Sequence, residues 1–355
     1  MEIVKKTSPY IRKETTSTKR MMIDVLIALL PVVVFAVVKF GTDALIRIII
    51  SVGVMVFLEV LSIGFIAKDK ETGNFFQRFK SRYKYITAMN FLAPAVSGII
   101  YAMLVPSQIG VYPLIVGAAL GIVLGKVIFG GFGQNIFNPA AIGRIIIGLT
   151  FGSSFVYPGV REFSTGATPL GGSFTLAERL TEFDLMRLFI GDIPGAMGEI
   201  CKIAILLGAA YLIVRKAADF RIMASVVATF AIMMLFAGLA IYPKDAFNFL
   251  LHGLLSGGVL FGAVFMATDP VTAPSTMPGK ILYGSLIGMI TALIRVFGAY
   301  PEGMAFAILI SNFIAPTIDY YKWASNKYTW KFATIQGVLI LGGIPLFYFA
   351  SGGGF

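Results

Sequence analysis

The sequence predicts an all-α polytopic membrane protein: two inverted five-span repeats plus one extra C-terminal span. Three observations predict it: the composition, a series of eleven apolar runs, and an internal likeness between runs five apart. Of 355 residues, 57% are hydrophobic and 13% charged, and mean hydropathy is +0.85. Soluble domains average about 45–50% apolar and about 25% charged, so a soluble fold cannot hide this much apolar surface. A span takes about 20 apolar residues, which leaves no room for a separate globular catalytic domain. The formal charge of +11, from 29 Lys+Arg against 18 Asp+Glu, reflects basic cytoplasmic loops in a polytopic chain, and a nucleic-acid partner drops out. Cys201 and His252 are each the single residue of their type. That excludes an intrachain disulfide, a cysteine-ligated iron–sulfur cluster and bis-His haem, so any redox cofactor has to be organic.

Residues 1–20 form a polar N-terminal segment with Lys5, Lys6, Arg12, Lys13, Lys19 and Arg20. The run that follows has full span length and no small-residue cleavage site, so it reads as an anchor and not a cleaved signal. Windows of about 19 residues place spans near 21–40, 44–67, 88–106, 111–130, 138–157, 198–215, 220–241, 247–267, 280–297, 302–319 and 333–350. The first repeat is then 21–157, the second 198–319, and 320–355 is a cytoplasmic linker with the extra span. Basic residues set the orientation. The N-terminal cluster, the group Lys68, Lys70, Arg78, Lys80, Arg82 and Lys84, and the later Arg215, Lys216 and Arg221 all alternate to the cytoplasmic side. The polar loop 158–197 falls outside, as does the carboxyl terminus.

Ser97-Gly98 opens an apolar stretch ending in Phe129-Gly130-Gly131-Phe132-Gly133, and Ser256-Gly257 opens one ending in Phe297-Gly298-Ala299-Tyr300. The first pair lies in the third span and the second in the eighth. Because five is odd, related five-span units insert in opposite orientations, the plan of many transport proteins, with a site at the repeat interface near mid-membrane. Glycine is common in membrane helices, so chance likeness is the competing reading of this pattern taken alone.

The external loop carries Thr165-Gly166-Ala167-Thr168 after Glu162. Gly followed by Ala lets a backbone approach a ligand closely, and the hydroxyl after them is available for attachment or hydrogen bonding. A merely flexible connection has the same composition. The four residues resemble the Ser/Thr-Gly-Ala-Thr flavinylation motif, in which a flavin transferase links the phosphate of FMN to the last threonine. Glu162 stands where that pattern has Asp, and Thr165 where Ser is commoner.

Three further motifs accompany it: Gly125-Lys126-Val-Ile-Phe-Gly130-Gly131-Phe-Gly133-Gln-Asn135-Ile-Phe-Asn138-Pro139-Ala140; Phe265-Met-Ala-Thr268-Asp269-Pro270-Val-Thr272-Ala-Pro274; and Gly298-Ala-Tyr300-Pro301-Glu302-Gly303. Together, and in this order, they resemble the family of the D subunit of the Rnf ion-translocating ferredoxin:NAD oxidoreductase and its relative, the B subunit of the sodium-translocating NADH:quinone reductase. The likeness runs from about residue 10 to Asp319, and length and the short N-terminal segment are nearer the Rnf protein. It implies covalent FMN at Thr168, flanked by Thr165, Gly166 and Ala167, on an electron-transfer subunit in a bacterial or archaeal cell membrane. It also implies neighbouring membrane and peripheral subunits, one of them a second covalent-FMN subunit, and a flavin transferase as modifying partner. Such transferases act outside the cytoplasmic membrane, the side on which the basic-residue tally puts Thr168.

Asn135 and Asn138 have paired donors and acceptors suited to a uracil-like edge such as that of an isoalloxazine. Asn138 before Pro139 equally suits a helix cap. The family resemblance makes Asn135, Asn138 and Asp269 candidates for a second, noncovalent flavin, riboflavin or its like. Ionisable residues within spans are costly and functional by default; here they are Asp24, Glu59, Lys126, Arg144, Arg295 and Glu302. Lys126 and Arg144 equally fit snorkelling to a span end, and His252 reads as a packing residue. Three functions compete: a flavin-carrying electron-transfer subunit coupled to sodium or proton movement, a small-solute channel or transporter on inverted repeats, and a colourless scaffold.

Overall fold

A computed structural model describes residues 17–66, 74–131, 133–152, 184–298, 303–320 and 324–352. The loop motif 165–168, Glu162 and Glu302 lie outside the described residues. Among the described residues every regular element is helical.

Helix α1 (Thr18–Phe40) starts at Ser17, whose hydroxyl accepts from Arg20 N at 3.3 Å, and stops at Gly41, where φ is +65°. A left-handed residue there reverses the chain within one position, and α2 (Thr42–Ile66) follows at once. After the short α3 (Phe75–Arg82) come α4 (Met89–Met103), α5 (Val111–Ile122) and α6 (Pro139–Thr150). Next are α7 (Leu185–Ile190), α8 (Lys202–Arg215), α9 (Phe220–Ile241), α10 (Ala246–Leu255) and α11 (Val259–Phe261). The chain closes with α12 (Met277–Phe297), α13 (Met304–Ile318) and α14 (Trp330–Gly352).

Each of the eleven apolar runs finds a helix, but not each is a full span. Helices α1, α2, α9, α12 and α14 are long and apolar enough to cross a membrane, and α10 with α11 makes a sixth candidate bent by 59°. The molecule is a multi-pass membrane protein. Helix α6 has 12 residues, about 18 Å at ~1.5 Å per residue, against a hydrocarbon core of about 30 Å. Other apolar runs are shortened because part of the run is not helical. Segments 104–110 and 191–201 are apolar yet leave the helix, and they are buried against neighbours: Leu104, Val105, Ile109, Ile193, Met197 and Ile200 are each 5% exposed or less. A hydropathy window cannot tell a buried non-helical stretch from a helix turn.

The last part of the loop expected over 158–197 is one such segment. Met197 N donates to Val105 O at 3.2 Å and Gly198 N to Met103 O at 2.8 Å, so this stretch closes over the end of α4, and α8 starts four residues later than the run at 198 suggested.

Packing follows small residues. Helix α2 lies on α4 and α5, α5 on α6, α9 on α10 and α12, and α12 on α13; α1 meets α8 and α6 meets α13 across the middle. The α2–α4 contact requires Gly98: a Cβ there sits 2.7 Å from Val52 Cα. Helix α14 leans on α9 and α12, with most of its surface facing outward.

Candidate functional site

Two helices end in π-turns: α5 continues as Val123–Val127, and α11 as Gly262–Met266. A π-turn widens the helix by one residue and is concentrated at functional sites. Each is followed by an irregular segment and then by a helix with proline in its first turn, Pro139 for α6 and Pro278 for α12. In the first segment Gly130, Gly131 and Gly133 have φ of +111°, +89° and +85°, which explains the glycine spacing of the motif.

The two π-turns border one cavity. Its wall includes Lys126, Asn135 and Asn138 from the first half of the chain, and Phe265, Thr268 and Asp269 from the second. All three candidate residues for a noncovalent ligand therefore share one cavity, although 131 positions separate Asn138 from Asp269.

Their roles differ. Asn138 is the helix cap that its sequence context also allowed: Oδ1 accepts from Ala140 N at 3.0 Å and Ala141 N at 3.3 Å. Its Nδ2 donates to Met266 O at 3.3 Å, bolting the start of α6 to the second π-turn. With the Asn312 amide turned so that its oxygen accepts from Asn138 N at 3.1 Å, Asn312 also donates to Ile308 O at 3.3 Å and meets the Tyr283 hydroxyl. Asn135 is 8% exposed and lies on the cavity wall, and among the described residues its amide has no hydrogen-bond partner. Its amide atoms are not sealed from open space, so a ligand or water in the cavity can reach them. Asp269 Oδ1 accepts from Val271 N at 3.1 Å, holding the carboxylate in a tight turn, and Thr268 Oγ1 donates to Val264 O at 2.6 Å.

Behind the wall, Lys126 Nζ lies 3.0 Å from Glu59 Oε1, both side chains 3% exposed or less. Among the described residues the second oxygen, Oε2, has no hydrogen-bond partner. An ion pair this deep contributes little net stability and is retained for position or function. Lys126 is thus a paired residue of the cavity wall, not a snorkelling one.

Asp24 is also buried, and accepts from Tyr211 and Arg215. Arg295 Nη1 donates to Gly253 O and, at 3.4 Å, to Ser256 O, carbonyls freed where α10 breaks. His252 Nδ1 lies 3.2 Å from Ser256 Oγ, within the same break. Sequence reasoning missed Glu199 and Lys202, both buried. Lys202 Nζ donates to Glu199 O and, at 3.4 Å, to Gly257 O. Two charged residues inside the apolar run 198–215 were the available signal.

The residues present fit a flat heterocycle with a polar edge. Mostly apolar walls with a few convergent polar groups are what such a pocket needs. Among the described residues no group of His, Cys, Asp and Glu is arranged to hold a metal ion.

The model of the NQR2, RnfD, RnfE family matches residues 4–327. Among curated relatives, the B subunit of the Na(+)-translocating NADH-quinone reductase of Yersinia pestis is 40% identical over 247 residues, covering 65% of this chain and 59% of that protein. Its counterpart in Chromohalobacter salexigens is 35% identical, covering 65% and 58%, and that in Pseudomonas aeruginosa 35% identical, covering 65% and 60%. The aligned region spans about three-fifths of the length of these relatives. With a family model matched over nearly its whole length, the chain belongs to the NQR2, RnfD, RnfE family.

Proposed function

We propose that this chain is a membrane electron-transfer subunit of a redox-driven, ion-translocating oxidoreductase of the ferredoxin:NAD type, and that it carries two flavins. FMN is joined to Thr168 through a phosphoester, and a noncovalent riboflavin or similar flavin occupies the cavity between the two π-turns. The observation that carries the second assignment is the Asn135 amide, on the cavity wall, not sealed from open space and without a protein partner among the described residues. It would pair with the pyrimidine edge of the ring, while Phe265 supplies apolar wall. The flavin supplies the redox chemistry when bound; the protein supplies position, exclusion of water and local charge. Lys126, paired with Glu59, and Asp269 are the charged residues on the cavity wall that would tune the flavin.

An inverted-repeat plan is part of this reading. It is supported by the recurrence of the α2–α4, α2–α5 and α5–α6 contacts as α9–α10, α9–α12 and α12–α13, with α1 on α8 and α6 on α13 across the middle. The relatives' sodium translocation makes sodium the first ion to test.

The test is colour. Protein purified from cells that possess the transferase should fluoresce as a denatured band on a gel, and Thr168→Ala should abolish that band while leaving an inserted protein. Acid extraction of the same wild-type sample should release a second, noncovalent flavin. A colourless chain refutes both assignments and favours a transporter or scaffold.

A further inference from the structure

Resting on the cavity reading above, we propose that Asp24 is a latch: a positioning residue that ties α1 to α8 at the cavity wall and sets how fast a bound heterocycle enters and leaves. Asp24 is 3% exposed. Its Oδ1 accepts from the Tyr211 hydroxyl at 3.1 Å and from Arg215 Nε at 3.2 Å, and Arg20 Nε lies 3.8 Å from Oδ2. Its neighbours on α1, Met21, Met22 and Val25, are cavity wall, and so are Leu212, Ala217 and Ala218 beside its partners. One buried carboxylate therefore joins two stretches of wall that are 187 positions apart in the pair Tyr211–Asp24.

The deeper part of the same seam is sealed differently. At Gly208 an added Cβ would lie 2.6 Å from Ala28 O and 2.7 Å from Phe265 Cζ. There α8 meets α1 through backbone, and no side-chain rotation can part them. Opening is concentrated at the Asp24 end. Arg215 is 38% exposed and Arg20 35%, so both cations reach water when released, whereas the carboxylate does not. A buried carboxylate in an apolar helix is expensive and functional by default, and Asp24 does not line the cavity. Ligand contact does not account for it. Closing the wall does.

A latch and a ligand contact have different kinetic signatures. Removing a ligand contact raises Kd through the off-rate. Removing a latch speeds entry and exit together and leaves Kd unchanged, because it acts on the barrier and not on the bound state.

The experiment uses the full chain purified with its noncovalent flavin. Exchange is followed by dilution into excess radiolabelled riboflavin, and Kd is measured by quenching of flavin fluorescence. Asp24→Asn should exchange about tenfold faster, which is about 1.4 kcal/mol at the barrier, with Kd changed by less than about twofold. Arg215→Gln should act alike, and the double variant should add little, since both remove one interaction. Asp24→Glu should exchange as the wild type does. Wild-type exchange in both single variants overturns the latch, and so does a Kd that rises in step with the off-rate. Wild-type protein that neither carries nor binds riboflavin overturns the cavity reading itself, and the latch falls with it.

Discussion

Replacing Asn135 and Asn138 separately by leucine should break two different things. Asn138→Leu removes the cap of α6, whose Oδ1 holds Ala140 N and Ala141 N; cap loss costs about 1 kcal/mol. It also leaves Met266 O, now bonded at 3.3 Å, without its donor in a buried site, a further penalty of about 1–3 kcal/mol. The two sum to about 2–4 kcal/mol before relaxation, a large share of a stability margin of about 5–15 kcal/mol. Asn135→Leu removes no hydrogen bond to a described residue, and a leucine fits the apolar wall, so stability should change by about 1 kcal/mol or less. Ligand affinity responds the other way round. Leucine at 135 leaves a polar ring edge unpaired at about 1–3 kcal/mol, roughly five- to 150-fold in affinity. The assay pairs thermal unfolding in detergent with flavin released on acid denaturation, scaled to the Thr168 adduct. Asn138→Leu should lower the melting temperature, and Asn135→Leu should empty the cavity at near-normal melting temperature. Full flavin retention in Asn135→Leu, or equal destabilisation by both variants, refutes the reasoning.

Two other outcomes follow from geometry and charge. Lys126→Met leaves Glu59 buried and uncompensated and should cost about 3–5 kcal/mol, whereas Lys126→Met with Glu59→Met should recover most of that loss; detergent unfolding of the three proteins checks it, and a double variant no better than the single one refutes it. Cysteine at position 165 should label from outside the cell and cysteine at position 78 should not, as the basic-residue tally requires; the reverse pattern overturns the orientation.

The sequence made the helices and the local backbone of the glycine- and proline-bearing motifs legible, because both are local signals. Asn138-Pro139 announces a helix start at that position, and α6 begins at Pro139. Gly130, Gly131 and Gly133 announce a backbone that ordinary residues cannot follow, and all three have positive φ. Hidden from any window were features made by partners distant in the chain. Nothing near residue 138 says that its amide will bind Met266 O. Nothing near Lys126 names Glu59 as its partner, and the break after α10 reads simply as two glycines in an apolar run. Helix length failed for a related reason: burial by neighbours substitutes for regularity, so Leu104 and Ile109 carry the hydropathy of a span without its structure.

These irregular stretches share one physical logic. In an apolar surrounding, backbone outside a helix is tolerated only where protein buries it or where it lines a cavity. Segments 104–110 and 191–201 meet the first condition, with Val105 O and Met103 O taken by Met197 and Gly198. Segments 128–138 and 267–276 meet the second, and they are the two that carry Asn135 and Asp269. The break between α10 and α11 is handled by charge, since Arg295 and Lys202 donate to its freed carbonyls. One set of irregularities is closed by the protein's own groups, and the other is left open to a cavity. That division, more than the presence of polar residues as such, is what makes the space between the π-turns the place proposed for a ligand.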